Sequence, residues 1–193
     1  MKGKPLLRVG ILTVSDRASQ GVYEDFSGPA VRAYLEGALP YRLEFRYLLV
    51  PDEVEAIQGA ILDLVASSGF VVTTGGTGPA PRDVTPEATL PLLEKPMPGL
   101  PEAIRAASLL DTPTAILYRG VAGVRGQSPI LNLPGNPKAI PTCLGAVLPA
   151  LPALFRLIGA LRIEGALAFG QGPDPGFLKR CGPARKAQGR SRR

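Results

Sequence analysis

The run Thr73-Thr74-Gly75-Gly76-Thr77-Gly78 consists of three threonines and three glycines. Such backbone can approach a ligand closely and aim amides at phosphate oxygens, with threonine hydroxyls as further donors. The run lacks the lysine of a phosphate-binding P-loop and the glycine spacing of a dinucleotide fingerprint. Taken alone, it reads somewhat better as a tight connection after a strand. Arg82-Asp83-Val84-Thr85-Pro86-Glu87 follows closely. Asp83 suits Mg2+, which takes one or two carboxylates and completes its shell with phosphates and water. Arg82 suits a phosphate. The alternative is that Asp83 only supports a helix start.

Asp52, in Val50-Pro51-Asp52-Glu53, is a second carboxylate for the same metal. With Glu55 three residues on, it also resembles a capping box, the stronger reading in isolation. Pro134, Gly135, Asn136 and Lys138 belong to Asn132-Leu133-Pro134-Gly135-Asn136-Pro137-Lys138, a rigid turn ahead of a helix. Amides at that helix start can hold an anion, or the turn is purely structural. Ser15-Asp16-Arg17 and Asp25-Phe26-Ser27-Gly28 add a polar loop. Histidine is absent. That removes Ser-His-Asp hydrolysis, His-ligated zinc and imidazole bases. Carboxylates, hydroxyls, basic groups, amides or an oxygen-held metal remain.

These residues need elements to position them. Apolar β-rich runs at 7–14, 42–50, 70–74, 114–117 and 130–133 read as strands. Helical patterns are expected at 29–38, 53–67, from 86 onward, at 102–110 and at 138–157. Ser27 or Gly28 is expected to cap the first of these, and Thr85 the third. Residues 95–101 read as a loop, and 120–126 as a hairpin arm. Pro149 and Pro152 should kink or split the last helix. The alternation predicts an α/β fold, with four polar or Gly-rich loops at the carboxyl ends of strands. That edge is where open α/β sheets bind ligands. Asp52 joins the Gly-rich loop there if the second and third strands are neighbours.

The 193 residues suit one catalytic domain over 1–165, followed by a flexible basic tail over 166–193. In that tail Lys179, Arg180, Arg185, Lys186, Arg190, Arg192 and Arg193 face only Asp174, which accounts for the whole net charge of +6. The basicity therefore describes the tail and gives no case for nucleic acid. Cys143 and Cys181 have no metal or disulfide spacing, and Cys143 reads as a core residue. The longest uncharged apolar stretch, 143–155, is 13 residues, short of the roughly 20 of a membrane span. A cytoplasmic protein without membrane association is expected.

Thr74-Gly75-Gly76-Thr77-Gly78, followed by Arg82-Asp83-Val84-Thr85-Pro86-Glu87-Ala88, resembles the signature of the molybdopterin adenylyltransferase family, the MogA/MoaB proteins. Pro98-Gly99, the stretch 120–126 and Asn132-Leu133-Pro134-Gly135-Asn136-Pro137 extend the resemblance across 7–158. It implies a three-layer αβα sandwich with a mostly parallel sheet, assembled as a homotrimer. It also implies Mg2+-dependent transfer of AMP from ATP to molybdopterin, with release of pyrophosphate. Hand-over of the product to a molybdenum-insertion protein would follow. By the same resemblance Asp52 and Asp83 are catalytic, Asp52 chiefly as a metal ligand; Asp83 is expected to orient the attacking phosphate or share the metal. Ser15, Thr74, Gly75, Gly76, Thr77, Gly78, Arg82, Pro134, Gly135, Asn136 and Lys138 are the corresponding candidates for substrate and nucleotide binding. Tyr118 departs from the pattern, since many relatives have serine there. Two alternatives share the fold: a silent molybdopterin-binding carrier and a CinA-like nucleotide hydrolase.

Overall fold

The computed structural model describes residues 6–159. The segment 166–193, Cys181 and the charges of the tail lie outside the described residues. The elements are β1 (Leu6–Val14), α1 (Asp16–Ser19), α2 (Ser27–Ala38), β2 (Arg42–Val50), α3 (Val54–Ser67), β3 (Phe70–Thr74), α4 (Thr85–Thr89), β4 (Lys95–Pro96), α5 (Gly99–Ser108), β5 (Ala122–Arg125), β6 (Ser128–Leu133), α6 (Ile140–Val147) and α7 (Leu151–Leu157). The sheet order is β2-β1-β3-β6-β5-β4. β2, β1, β3 and β6 run parallel, and β5 is antiparallel to both its neighbours.

Side-chain alternation explains the layers. Leu7, Val9 and Ile11 of β1, with Phe70 and Val72 of β3, point to one face. There they meet Val31 and Leu35 of α2 and the buried residues of α5, α6 and α7. Phe70 and Phe155 meet edge to face, with centroids 5.8 Å apart. Leu12 and Val14 of β1 and Val71 of β3 point the other way, onto Ile57, Ile61 and Leu64 of α3. The result is the expected three-layer αβα sandwich.

Register sets the site. Val14 lies opposite Val50, Thr13 opposite Thr74, and Thr74 opposite Leu133. Four parallel strands therefore end level, and their following loops share one edge. β2 and β3 are not neighbours, because β1 lies between them. Parallel direction still brings Asp52 to the common edge.

Several local expectations are corrected. Residues 114–117 are not a strand but part of a 3-10 turn, Pro113–Leu117, whose Ile116 and Leu117 are exposed. Pro113 fixes a helical φ at its first position, overriding the β-branched composition. The stretch 95–101 is not all loop: it contains edge strand β4 and the start of α5. Asp52 does not cap α3, and Thr85 lies inside α4 with its hydroxyl turned elsewhere. Residues 138–157 do split at the prolines, and the helical segments Pro137–Val147 and Leu151–Leu157 are inclined by 58°. Among the described residues no single helix is long and apolar enough to cross a membrane. Cys143 is buried, as expected.

α2 is capped by neither Ser27 nor Gly28 but by Asp25. One carboxylate oxygen accepts from the Ser27 amide (2.9 Å) and hydroxyl (2.7 Å). The other accepts from the Gly28 amide (3.0 Å), the Thr13 hydroxyl (2.9 Å) and the Tyr47 hydroxyl (2.9 Å). One residue thus ties α2 to β1 and β2. Burial pushes this carboxyl up, but the hydrogen bonds from Ser27, Tyr47 and Thr13 outweigh burial and hold it below the usual carboxylate range. Its stabilisation is present above the ordinary aspartate value and is lost as pH falls through the lower folded-state value. Urea unfolding of Asp25→Asn should show a loss of about 2 kcal/mol at neutral pH. The gap to the parent protein should close as pH falls below about 3.9. Equal midpoints at neutral pH would refute the assignment.

Candidate active site

The Gly-rich loop is hung between strands by its own backbone. The Gly75 amide donates to the Leu133 carbonyl (3.2 Å), and the Thr85 amide donates to the Gly76 carbonyl (3.0 Å). The Thr85 hydroxyl donates to the Gly75 carbonyl (3.0 Å). Gly75 and Gly76 have φ of +101° and +60°, conformations that favour glycine. A Cβ on Gly75 would collide with the Val14 carbonyl oxygen.

Behind the loop is a buried polar brace. Asn132 donates through Nδ2 to the hydroxyls of Thr73 (2.9 Å) and Thr89 (3.1 Å), and its Oδ1 accepts from the Val121 amide (3.1 Å). The Thr74 hydroxyl donates to the Pro134 carbonyl (2.9 Å). Among the described residues no buried side-chain nitrogen or oxygen lacks a partner. Such saturation fixes the loop without competing for a ligand.

A cavity of about 400 Å³ opens on one side of the loop. Gly75, Gly76, Thr77, Gly78, Asp83, Pro134, Gly135 and Asn136, all foreseen from the sequence, line it. The connections after β3 and β6 diverge here, to α4 on one face and α6 on the other, which makes a switch-point crevice. Asp83 Oδ2 accepts from the Ala80 amide (3.1 Å) and would lie 2.8 Å from a Cβ on Gly78.

Asp52 is not on the cavity wall. Its Oδ1 would lie 2.8 Å from a Cβ on Gly76. Asp52 and Asp16 lock each other: the Asp16 amide donates to Asp52 Oδ2 (2.9 Å), and the Asp52 amide donates to Asp16 Oδ1 (3.0 Å). Arg82 grips Asp16 through Nε and Nη2, both at 2.8 Å. Burial, then the charges of Asp16 and Asp83, push the Asp52 carboxyl up against the opposing Asp16 amide. The Arg82 hydrogen bond holds Asp16 down.

Not every expected residue reaches the cavity. The Ser15 hydroxyl accepts from the Ala18 amide and caps α1. The guanidinium of Arg82 is occupied by Asp16. Lys138 is exposed, and only its amide takes part locally, donating to Asn136 Oδ1 (3.1 Å). Four residues were not singled out as site candidates. Asp16 stood unremarked in its polar loop. Arg119 donates to the carbonyls of Gly78 (2.8 Å) and Asp83 (2.7 Å) and pairs with Glu87. Arg105 and Tyr118 also line the cavity. No local spacing marks them, since they enter through α5 and the turn after it.

Residues 10–153 match the model of a family described as a probable molybdopterin binding domain. Over 154 residues the chain is 49% identical to the molybdopterin adenylyltransferase of Helicobacter pylori strain J99, covering 79% of this chain and 88% of that one. It is 50% identical over 145 residues to the molybdopterin adenylyltransferase of Escherichia coli K12, covering 73% of each. The solved molybdopterin biosynthesis enzyme MoaB of Thermus thermophilus superposes with a TM-score of 0.71 at 49% identity, covering 79% of this chain and 96% of that one.

The close approach of Gly75 to Val14 can be checked directly. Gly75→Ala should cost at least about 2 kcal/mol in chemical denaturation, through a strained φ and a backbone clash. Gly37→Ala in α2, where a Cβ meets nothing within 4 Å, should leave stability unchanged or raise it. Equal behaviour of the two variants would overturn the steric account.

Proposed function

The chain belongs to the probable molybdopterin binding domain family, and from that premise we propose that it is a molybdopterin adenylyltransferase in molybdenum cofactor biosynthesis. Its substrates are ATP and molybdopterin. The observation that carries the reading is the Gly-rich loop with a carboxylate close against Gly76 and another against Gly78. A phosphate oxygen of molybdopterin attacks the α-phosphorus of ATP. A new P–O bond forms, the bond to the bridging oxygen breaks, and pyrophosphate leaves. A phosphate monoester is already anionic, so the attack needs no imidazole base. It needs alignment and charge neutralisation.

The chain supplies alignment. The amides of Gly75, Gly76, Thr77 and Gly78 cradle phosphate. Asp83, on the cavity wall, orients the attacking phosphate or shares the metal. Asp52, on the Gly76 side, faces the nucleotide. Asp16 and Arg82 hold Asp52 in place, and Ser15 begins the helix that carries Asp16. Thr74 braces Pro134, which keeps the turn of Gly135 and Asn136 against the loop. Lys138 stands outside as a peripheral charge.

Asp52 and Asp83 also fit Mg2+. Two carboxylates converge on one loop, their charges couple, and no cluster of three or more protein ligands exists among the described residues. That donor set suits an ion that completes its shell with phosphates and water. When bound there, Mg2+ neutralises the triphosphate. We further propose a homotrimer in the cytoplasm that hands adenylylated pterin to a molybdenum-insertion protein.

The assay is pyrophosphate release from ATP, Mg2+ and molybdopterin. Asp52→Ala and Asp83→Ala should each reduce it by about 100-fold or more. Pterin binding without any release would favour the silent carrier. Nucleotide hydrolysis that does not need pterin would favour the CinA-like alternative.

A further inference from the structure

Arg82, Arg105 and Arg119 lie around the loop and its cavity, and the first and last are spent. Arg82 is held by both oxygens of Asp16. Arg119 pairs with Glu87 and binds two loop carbonyls. Arg105 differs: among the described residues it forms no ion pair, and Nη1 donates to the Tyr118 carbonyl at 3.3 Å. Its guanidinium carries five N–H donors in a fixed fork. It lines the cavity together with Ile104, Ala115, Leu117 and the Gly-rich loop. A ligand that fills the cavity against these apolar residues displaces water and so strengthens its interaction with the charge.

Tyr118 holds that arginine in place. Its hydroxyl donates to the Asn132 carbonyl at 2.5 Å. Gly120 makes room for the ring, since a Cβ there would collide with the phenol oxygen. The carbonyl that receives Arg105 therefore belongs to a residue pinned at its far end to the strand that braces the Gly-rich loop.

We infer that Arg105 binds an anionic phosphate oxygen of the substrate seated in the cavity, with Tyr118 as its positioning residue. The choice of substrates rests on the adenylyltransferase reading. The phosphate belongs either to the pterin or to the nucleotide, and both carry the chemistry that a guanidinium fork recognises.

The experiment is equilibrium binding, free of turnover. Wild type, Arg105→Gln and Arg105→Lys are titrated separately with molybdopterin, with phosphatase-treated molybdopterin and with ATP. Arg105→Gln should weaken one phosphate-bearing ligand by about 10-fold or more, and the arm that moves identifies the source. Arg105→Lys keeps the charge without the fork and should fall between the other two. If the pterin arm moves, phosphatase-treated pterin should bind all three proteins equally. Affinities within twofold across all proteins and ligands would overturn the inference. So would an equal loss on the dephosphorylated pterin, which would assign Arg105 to packing. Thermal unfolding of each variant checks the fold, and the conservative lysine keeps the test decisive if glutamine destabilises the chain. Pyrophosphate release by wild type is scored separately, so failure of the adenylyltransferase reading is distinguishable from failure of the Arg105 inference.

Discussion

The site depends on how closely three backbones approach at Gly75. On one side the Val14 carbonyl oxygen leaves no room for a Cβ, and on the other Gly135 packs against the Gly75 α-carbon. That contact is possible only because β1, β3 and β6 end level in register. A one-residue slip would turn every side chain of β3 to the opposite face. The core alternation of Phe70, Val71 and Val72 between two apolar clusters prevents that slip. Core packing and loop geometry are thus one constraint. The hydrophobic pattern fixes the register, and the register brings the loops together.

Charge around the loop is organised for geometry more than for stability. The Arg82–Asp16 and Arg119–Glu87 pairs are largely exposed. Exposed pairs contribute little, typically under about 1 kcal/mol. Their effect is to hold directions. Arg82 keeps Asp16 oriented, and Asp16 in turn exchanges amide–carboxylate bonds with Asp52. Arg119 gathers the Gly78 and Asp83 carbonyls onto α4. Asp25 works differently, because it is half-buried and satisfies five donors from three elements. It therefore belongs to the fold more than to the site.

Much of this was legible in the sequence, and the parts that were not share a physical reason. The apolar run at 70–74 leading into glycines marked β3 and the loop directly, because strand and loop are local patterns. Asp83 was legible for the same reason. Asp52 was ambiguous because one motif, carboxylate then helix, serves both capping and ligand binding, and only tertiary structure shows the side chain turned away from α3. The cap of α2 was misassigned to Ser27 and Gly28: Asp25 lies just ahead of them and accepts locally from both amides, and only its bonds to Thr13 and Tyr47, which fix its carboxylate, are long-range. The 3-10 turn at Pro113–Leu117 read as a strand because composition outweighed one proline. Arg105 carries no local signature, and Tyr118 stood out only as a departure from the family pattern. Arg105 comes to the cavity when α5 packs against α6, and Tyr118 through its bond to Asn132 of β6, long-range events that no window of residues reports.

The placement of the two aspartates gives the loop its character. Asp83 lines the cavity, whereas Asp52 approaches Gly76 from outside it. A single ligand filling the cavity would touch Asp83 and leave Asp52 without use. Yet Asp52 carries the raised carboxyl, and the Asp16–Arg82 support is built around it. Carboxylates held close against two glycines of one loop suit the proposed reaction between two phosphate-bearing molecules, since both must be held while the reacting atoms meet. Glycine is then needed twice over. It permits the positive φ of Gly75 and Gly76, and at Gly76 and Gly78 its missing side chain lets the carboxylates of Asp52 and Asp83 come close.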